Sequence, residues 1–167
     1  MQKGIVGLML CAALGANAAP VADKAKEDKL VFMRNEEPAM KSAFEKGRAT
    51  LDSFLAKASA PAQGTSKYAL KVAITEGLNT EFFWVRDFQW ADGQFTGTLA
   101  NEPRMVKKVT SGQRIKFGRE LVVDWTYWDA AQRRTFGNFT ACALLTKEPR
   151  DEAQKFKAQL GLQCGDE

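Results

Sequence analysis

The chain has 167 residues, with 24 Lys and Arg against 20 Asp and Glu, and no histidine. That length suits one domain with a substantial core. The missing histidine excludes Ser-His-Asp and Cys-His catalysis and ordinary His-based zinc sites. The cations are scattered, which argues against a nucleic-acid interface.

Lys3 precedes an apolar run from Ile5 to Leu14, and Ala16-Asn17-Ala18 fits the small-x-small cleavage pattern. Residues 1–18 therefore read as a secretory signal peptide cut after Ala18, which places the mature protein in the periplasm or outside the cell. The run is about ten residues, short of the ~20 that a membrane span needs. Leu10 does not suit a lipoprotein signal at Cys11. The expectation is no stable membrane anchor after cleavage. Cleavage leaves two cysteines, Cys142 and Cys164. An even count in an oxidising compartment suggests one disulfide; two separate buried thiols are the alternative.

Residues 19–34 read as a loose N-terminal arm with a short strand at Leu30 to Met33, and residues 35–167 as a single domain. Asn35 is a plausible N-cap, and Pro38 suits a first helical turn. Met40, Phe44, Leu51, Phe54, Leu55 and Ala58 recur at helical spacing, predicting one amphipathic helix over 36–59. Gly47 weakens it by up to ~1 kcal/mol relative to Ala.

Then the period becomes two. Tyr68, Leu70, Val72 and Ile74 alternate with Lys67, Ala69, Lys71 and Ala73, predicting a strand with one buried face. Thr80 to Trp90 is a second strand, and Asp92-Gly93 is a hairpin signal. With Ala91 facing Gln94, Trp90 pairs with Phe95, and Trp84, Phe88, Trp90, Phe95 and Leu99 share the core face. Phe83 and Val85 fall on the opposite, mostly polar face. Arg114 to Phe117 and Leu121 to Trp128 are further strands. Arg134 to Thr146 is read as the last strand, bent at Gly137 and carrying Cys142. Pro149 to Leu160 is a closing amphipathic helix ended by Gly161.

Successive strands joined by short turns predict an α+β domain: an antiparallel meander sheet with an N-terminal amphipathic helix and a short C-terminal helix. Glycine bends give the sheet scope to curl into a partly closed barrel.

No G-x-G-x-x-G or P-loop spacing is present, and Asp87, Asp92 and Gly93 lack the ligand pattern of a calcium loop. The expectation is no cofactor and no metal. Glu102 and Asp124 are the weak catalytic candidates, as an acid/base pair of glycosidase type; the structural alternative pairs either with Arg86 or Arg104. The polar turn Asn101-Glu102-Pro103-Arg104, together with Asp124, is the candidate ligand or partner surface. Phe83 and Trp128 join it as aromatics on an otherwise polar face; a terminal helix packed there explains them equally well.

Glu81-Phe82-Phe83-Trp84-Val85, then Phe95 through Pro103, Gly112-Gln113 and Asp124-Trp125 occur in an order that resembles the YegJ-like family, a bacterial domain family of unknown function. The helix ending Ala49 through Leu55 resembles that family's start. The resemblance covers 38–146 and leaves the C-terminal helix and tail, 147–167, unmatched. It implies domain identity and carries no activity. The leading expectation is a non-enzymatic binding module for an envelope protein or glycan. The alternatives are a hydrolase using Glu102 and Asp124, or a purely structural envelope protein.

Overall fold

The computed structural model describes residues 35–165. The expected signal peptide, its cleavage after Ala18, Cys11, the N-terminal arm and the Leu30–Met33 strand lie outside the described residues.

Helix α1, Pro38–Ala49, opens with Pro at its first turn and carries Lys46 and Arg48 in its last, both favourable placements for the helix ends. It buries Met40, Ala43 and Gly47. The helix expected over 36–59 is broken at Thr50, whose backbone leaves the helical region. Helix α2, Leu51–Ser59, then buries Leu51 and Phe54. The break lets the two segments serve different packing partners. Gly47 belongs to this arrangement: a Cβ there would stand 2.5 Å from the Val123 carbonyl oxygen. Only glycine lets α1 lie this close to the strand carrying Val123.

The strands are β1 (Thr65–Glu76), β2 (Asn79–Ala91), β3 (Gln94–Leu99), β4 (Arg114–Phe117), β5 (Val122–Asp129) and β6 (Arg134–Gly137). They form one antiparallel sheet in the order β4-β3-β2-β1-β5-β6. Thus β1 to β4 meander, and β5 returns to the far side of β1. The fold is α+β, and the sheet stays open. A flat sheet would separate β4 from β5 by about 19 Å, four strand spacings. The link from Phe117 to Val122 reaches at most about 18 Å, and part of it is a compact 3-10 turn, so the sheet is curled.

The Asp92-Gly93 hairpin has the expected register, with Ala91 opposite Gln94 and Trp90 opposite Phe95. Further along, the faces depart from expectation. The register shifts between Arg86 and Gln89, where Asp87 takes a positive φ of 51°. This β-bulge sets Asp87 and Phe88 against Gly97 and exchanges the faces of β2 beyond it. Phe83 and Val85 are therefore fully buried, and Trp90 is 51% exposed; Trp84 is half-buried. At the start of β5, Leu121 belongs to a short 3-10 turn and is exposed, while Val122 and Val123 are both buried.

The main core gathers Phe54, Leu70, Val72, Phe83, Val85 and Phe95, closed at one end by Val106 and Val109 of the loop before β4. The Phe54 ring stacks on Trp125 at 4.9 Å. A smaller cluster of Met40, Ala43 and Ala143, with Phe44 and Phe139 against it, lies between α1 and the next helix.

That helix replaces the second half of the expected last strand. β6 stops at Gly137, Asn138 turns in the left-handed region, and α3 spans Phe139–Leu145. Residues 139–145 combine Ala and Leu, good helix formers, just beyond two left-handed residues. Cys142 is therefore on a helix. Helix α4, Arg150–Leu160, ends at Gly161 with φ 64°, as expected of a C-terminal glycine. Cys142 and Cys164 are joined as a disulfide with Cα atoms 5.4 Å apart. Thr135 also ties the tail to β6, donating its N–H to the Gly161 carbonyl at 2.9 Å.

Candidate functional site

The turn singled out in the sequence is held down by side chains from β1 and β2. Asn101 uses its amide as a backbone mimic: its Oδ1 accepts the Trp84 N–H at 2.8 Å, and its Nδ2 donates to the Phe82 carbonyl. Glu81 accepts three consecutive backbone N–H groups, from Arg104, Met105 and Val106, at 2.8, 3.0 and 3.0 Å. Glu76 accepts the Lys107 N–H at 2.5 Å. Partial burial pushes the Glu81 carboxyl up, but those N–H groups and nearby Arg104 more than offset it, and the carboxyl rests below its usual value. The loop is thus fixed, and its outward side chains are presented. Glu102 and Arg104 are exposed, Met105 is 45% exposed, and Leu78 at the neighbouring β1–β2 turn is fully exposed.

Asp124 lies elsewhere. It stands on β5 directly opposite Lys71 of β1 and has no solvent exposure. Its Oδ2 accepts both the N–H and the hydroxyl of Thr140, at 2.8 and 2.7 Å, and its Oδ1 accepts the Trp125 N–H at 2.8 Å. Lys71 Nζ donates to the Thr140 hydroxyl at 2.7 Å and sits 4.9 Å from the Trp84 ring centroid. Burial pushes the Asp124 carboxyl up and the Lys71 ammonium down, and each charge opposes the shift of the other. Asp124 supplies an acceptor for the first turn of α3, whose N–H groups have no partner within the helix. A hydroxyl beside an amine has the makings of a nucleophile and base. Here the hydroxyl is committed to Asp124 and Thr140 is 2% exposed, so the chemistry is that of an anchor.

The arginine pairings expected for Asp124 give way to Lys71 and Thr140; Arg86 instead faces Asp87 at 3.8 Å on the surface. Asp124 and the Asn101 turn are separated by β1 and β2, roughly 14 Å across three strand spacings. Glu102 is at the surface and Asp124 is sealed, so the two carboxyls share no cleft. Phe83, expected on a contact surface, is core because of the Asp87 bulge. Trp128 is half-buried, and a Cβ at Gly161 would stand 2.7 Å from its ring; the end of α4 covers it.

Sequence reasoning passed over Lys71, Thr140 and Glu81. Lys71 looked like any polar residue of an alternating strand. Glu81 opens one of the stretches that resemble the YegJ-like family, which was a usable signal.

A family model described as an uncharacterized protein conserved in bacteria, DUF2314, matches residues 37–164. The chain belongs to this family. The DUF2314 match takes in α4 and Cys164, which lie beyond the 38–146 stretch of the sequence resemblance. The domain is also similar to the uncharacterized protein YegJ of Escherichia coli (strain K12), at 32% identity over 133 residues, covering 80% of this chain and 84% of the relative. No solved structure matches.

Proposed function

We propose that this DUF2314 domain is a non-enzymatic binding module of the periplasm or cell exterior, and that it engages an envelope protein through the loop anchored on Glu81. The observation that carries this reading is the fixed backbone of 104–107, which leaves Met105 exposed, together with a fully exposed Leu78 on the β1–β2 turn that follows Glu76, the acceptor of the Lys107 N–H. Exposed apolar side chains on a pre-ordered loop lose little freedom on binding, which favours association. They also favour a protein partner over a glycan. The disulfide supports an oxidising compartment. A hydrolase built on Glu102 and Asp124 has less support, since Asp124 meets no solvent.

The test is affinity capture from envelope extracts, followed by a binding titration with the purified captured protein. Leu78→Ser/Met105→Ser should raise Kd about tenfold or more while the thermal midpoint holds. Equal Kd values for the variant and wild type would remove this surface from the reading. Mass spectrometry of protein purified from cells should show an N-terminus at Ala19; a mass retaining residues 1–18, or a lipid on Cys11, would overturn the compartment.

A further inference from the structure

Among the described residues, β4 is hydrogen-bonded to a strand on one side only, that of β3. Just before it, the Leu99 N–H donates to the Gln113 carbonyl and the Leu99 carbonyl accepts the Gly112 N–H, both at 2.9 Å. Bonded and non-bonded pairs alternate along an antiparallel ladder. The pairs Thr98–Arg114 and Thr96–Lys116 are therefore non-bonded, and the N–H and carbonyl groups of Arg114 and Lys116 point away from β3. The two side chains are exposed and share one face, ~7 Å apart along the strand. Across β3 they meet Thr98 and Thr96, and beyond these Arg86 and Gln89. The acidic side chain of that region, Asp87 in the bulge, faces Arg86 at 3.8 Å. Between the two cations, Ile115 points to the opposite face and is half-buried against the main core.

We propose that β4 accepts an extended acidic segment of a partner protein as a further antiparallel strand, with carboxylates opposite Arg114 and Lys116 and an apolar side chain over Ile115. An added strand on this edge exchanges two backbone bonds with each of Arg114 and Lys116. Residues directly opposite in such pairs put their side chains on one face, where opposite charges attract and like charges repel. Carboxylates two residues apart in an extended chain repeat at the same ~7 Å as the two cations. The residue between them falls on the other face and covers what Ile115 leaves open. The edge thus selects an acidic-apolar-acidic pattern: the backbone bonds hold any strand, and the charges choose which one. It uses neither Leu78 nor Met105 and goes beyond the role given to that surface.

The experiment is an amide-resolved NMR titration with three capped peptides: Thr-Glu-Val-Glu-Thr, the same peptide N-methylated at both Glu nitrogens, and Thr-Lys-Val-Lys-Thr. The first should give saturable shifts and slowed hydrogen exchange at the Arg114 and Lys116 amides. The N-methylated peptide keeps the charge and loses two backbone bonds, and the lysine peptide keeps the bonds and reverses the charge. Each should bind about tenfold more weakly. Arg114→Glu/Lys116→Glu, at two exposed positions, should hold its thermal midpoint and prefer the lysine peptide. Leu78→Ser/Met105→Ser should bind the first peptide as wild type does, which separates this edge from the loop surface. Equal binding of the N-methylated peptide would mean that charge alone acts. An unreversed preference in the double glutamate variant, or no saturation with the first peptide, would also overturn the proposal. So would slow exchange at the two amides in the free protein, which would mean that the chain itself or a second copy fills the edge.

Discussion

Asp124 and Glu81 each hold a piece of chain by accepting backbone N–H groups, the first beneath a helix with no solvent contact and the second at the surface. Geometry is similar and environment is opposite. For Asp124, desolvation outweighs the hydrogen bonds and the carboxyl is pushed up. For Glu81, desolvation is smaller than the sum of three N–H bonds and a nearby arginine, and the carboxyl is pulled down. Asp124 therefore needs Lys71 as a counter-charge, while water helps carry the charge of Glu81. One device can thus lock a core element or display a surface loop, according to how much water it keeps.

The sharpest way to break this contrast is to strip Asp124 of its partner. Lys71→Met should cost about 3–5 kcal/mol in urea unfolding, because it leaves a buried charge uncompensated. Asp124→Asn keeps an acceptor for Thr140 and removes the charge, so Lys71→Met/Asp124→Asn should be more stable than Lys71→Met alone. Additive losses would mean that the two charges are not coupled.

Next in size is the disulfide. Its cysteines are 22 residues apart, and Cys142→Ser/Cys164→Ser should lose about 3 kcal/mol on the chain-entropy account. Thiol titration of the denatured, unreduced wild type should find neither cysteine reactive; two reactive thiols would refute the bond.

The smallest effect is also the one that tests the sign of the comparison. Glu81→Gln should cost about 1 kcal/mol near neutrality, discounted for solvent. The Glu81 pKa is lowered in the folded state, so its contribution is present above the unfolded value, ~4.3, and is lost as pH falls through the folded value. The Asp124 pKa is raised, so its contribution is present below the unfolded value, ~3.9, and is lost as pH rises through the folded value. The stability difference between wild type and Glu81→Gln should shrink on acidification, and that between wild type and Asp124→Asn should change with the opposite slope. Parallel slopes in an acid titration of unfolding would end the comparison.

The sequence announced more of the scaffold than of these two sites. Period-two alternation placed β1, and Asp92-Gly93 set the hairpin register, because both signals are local. The Asp87 bulge was invisible, since one extra residue leaves the composition of β2 unchanged while exchanging its faces. That single shift moved Phe83 from candidate contact to core. Residues 139–145 continue the strand in the sequence because Gly137 is compatible with a bend; Asn138 in the left-handed region, where the helix begins, shows only in the backbone. Asp124 is a candidate catalytic and contact residue in the sequence and a buried anchor in the fold; its partner Lys71 lies 53 positions earlier and is brought alongside only by the return of β5 to β1.

Among the described residues, the open curl of the sheet leaves β4 as an edge, four residues long, with exposed Arg114 and Lys116 on it. At the other edge, Leu162 bridges Thr135 of β6. A second copy laid antiparallel along β4 would set these cations against their own kind, and a ladder that short offers few bonds in return. A short, cationic edge of this kind disfavours growth of the sheet from one copy into the next through β4.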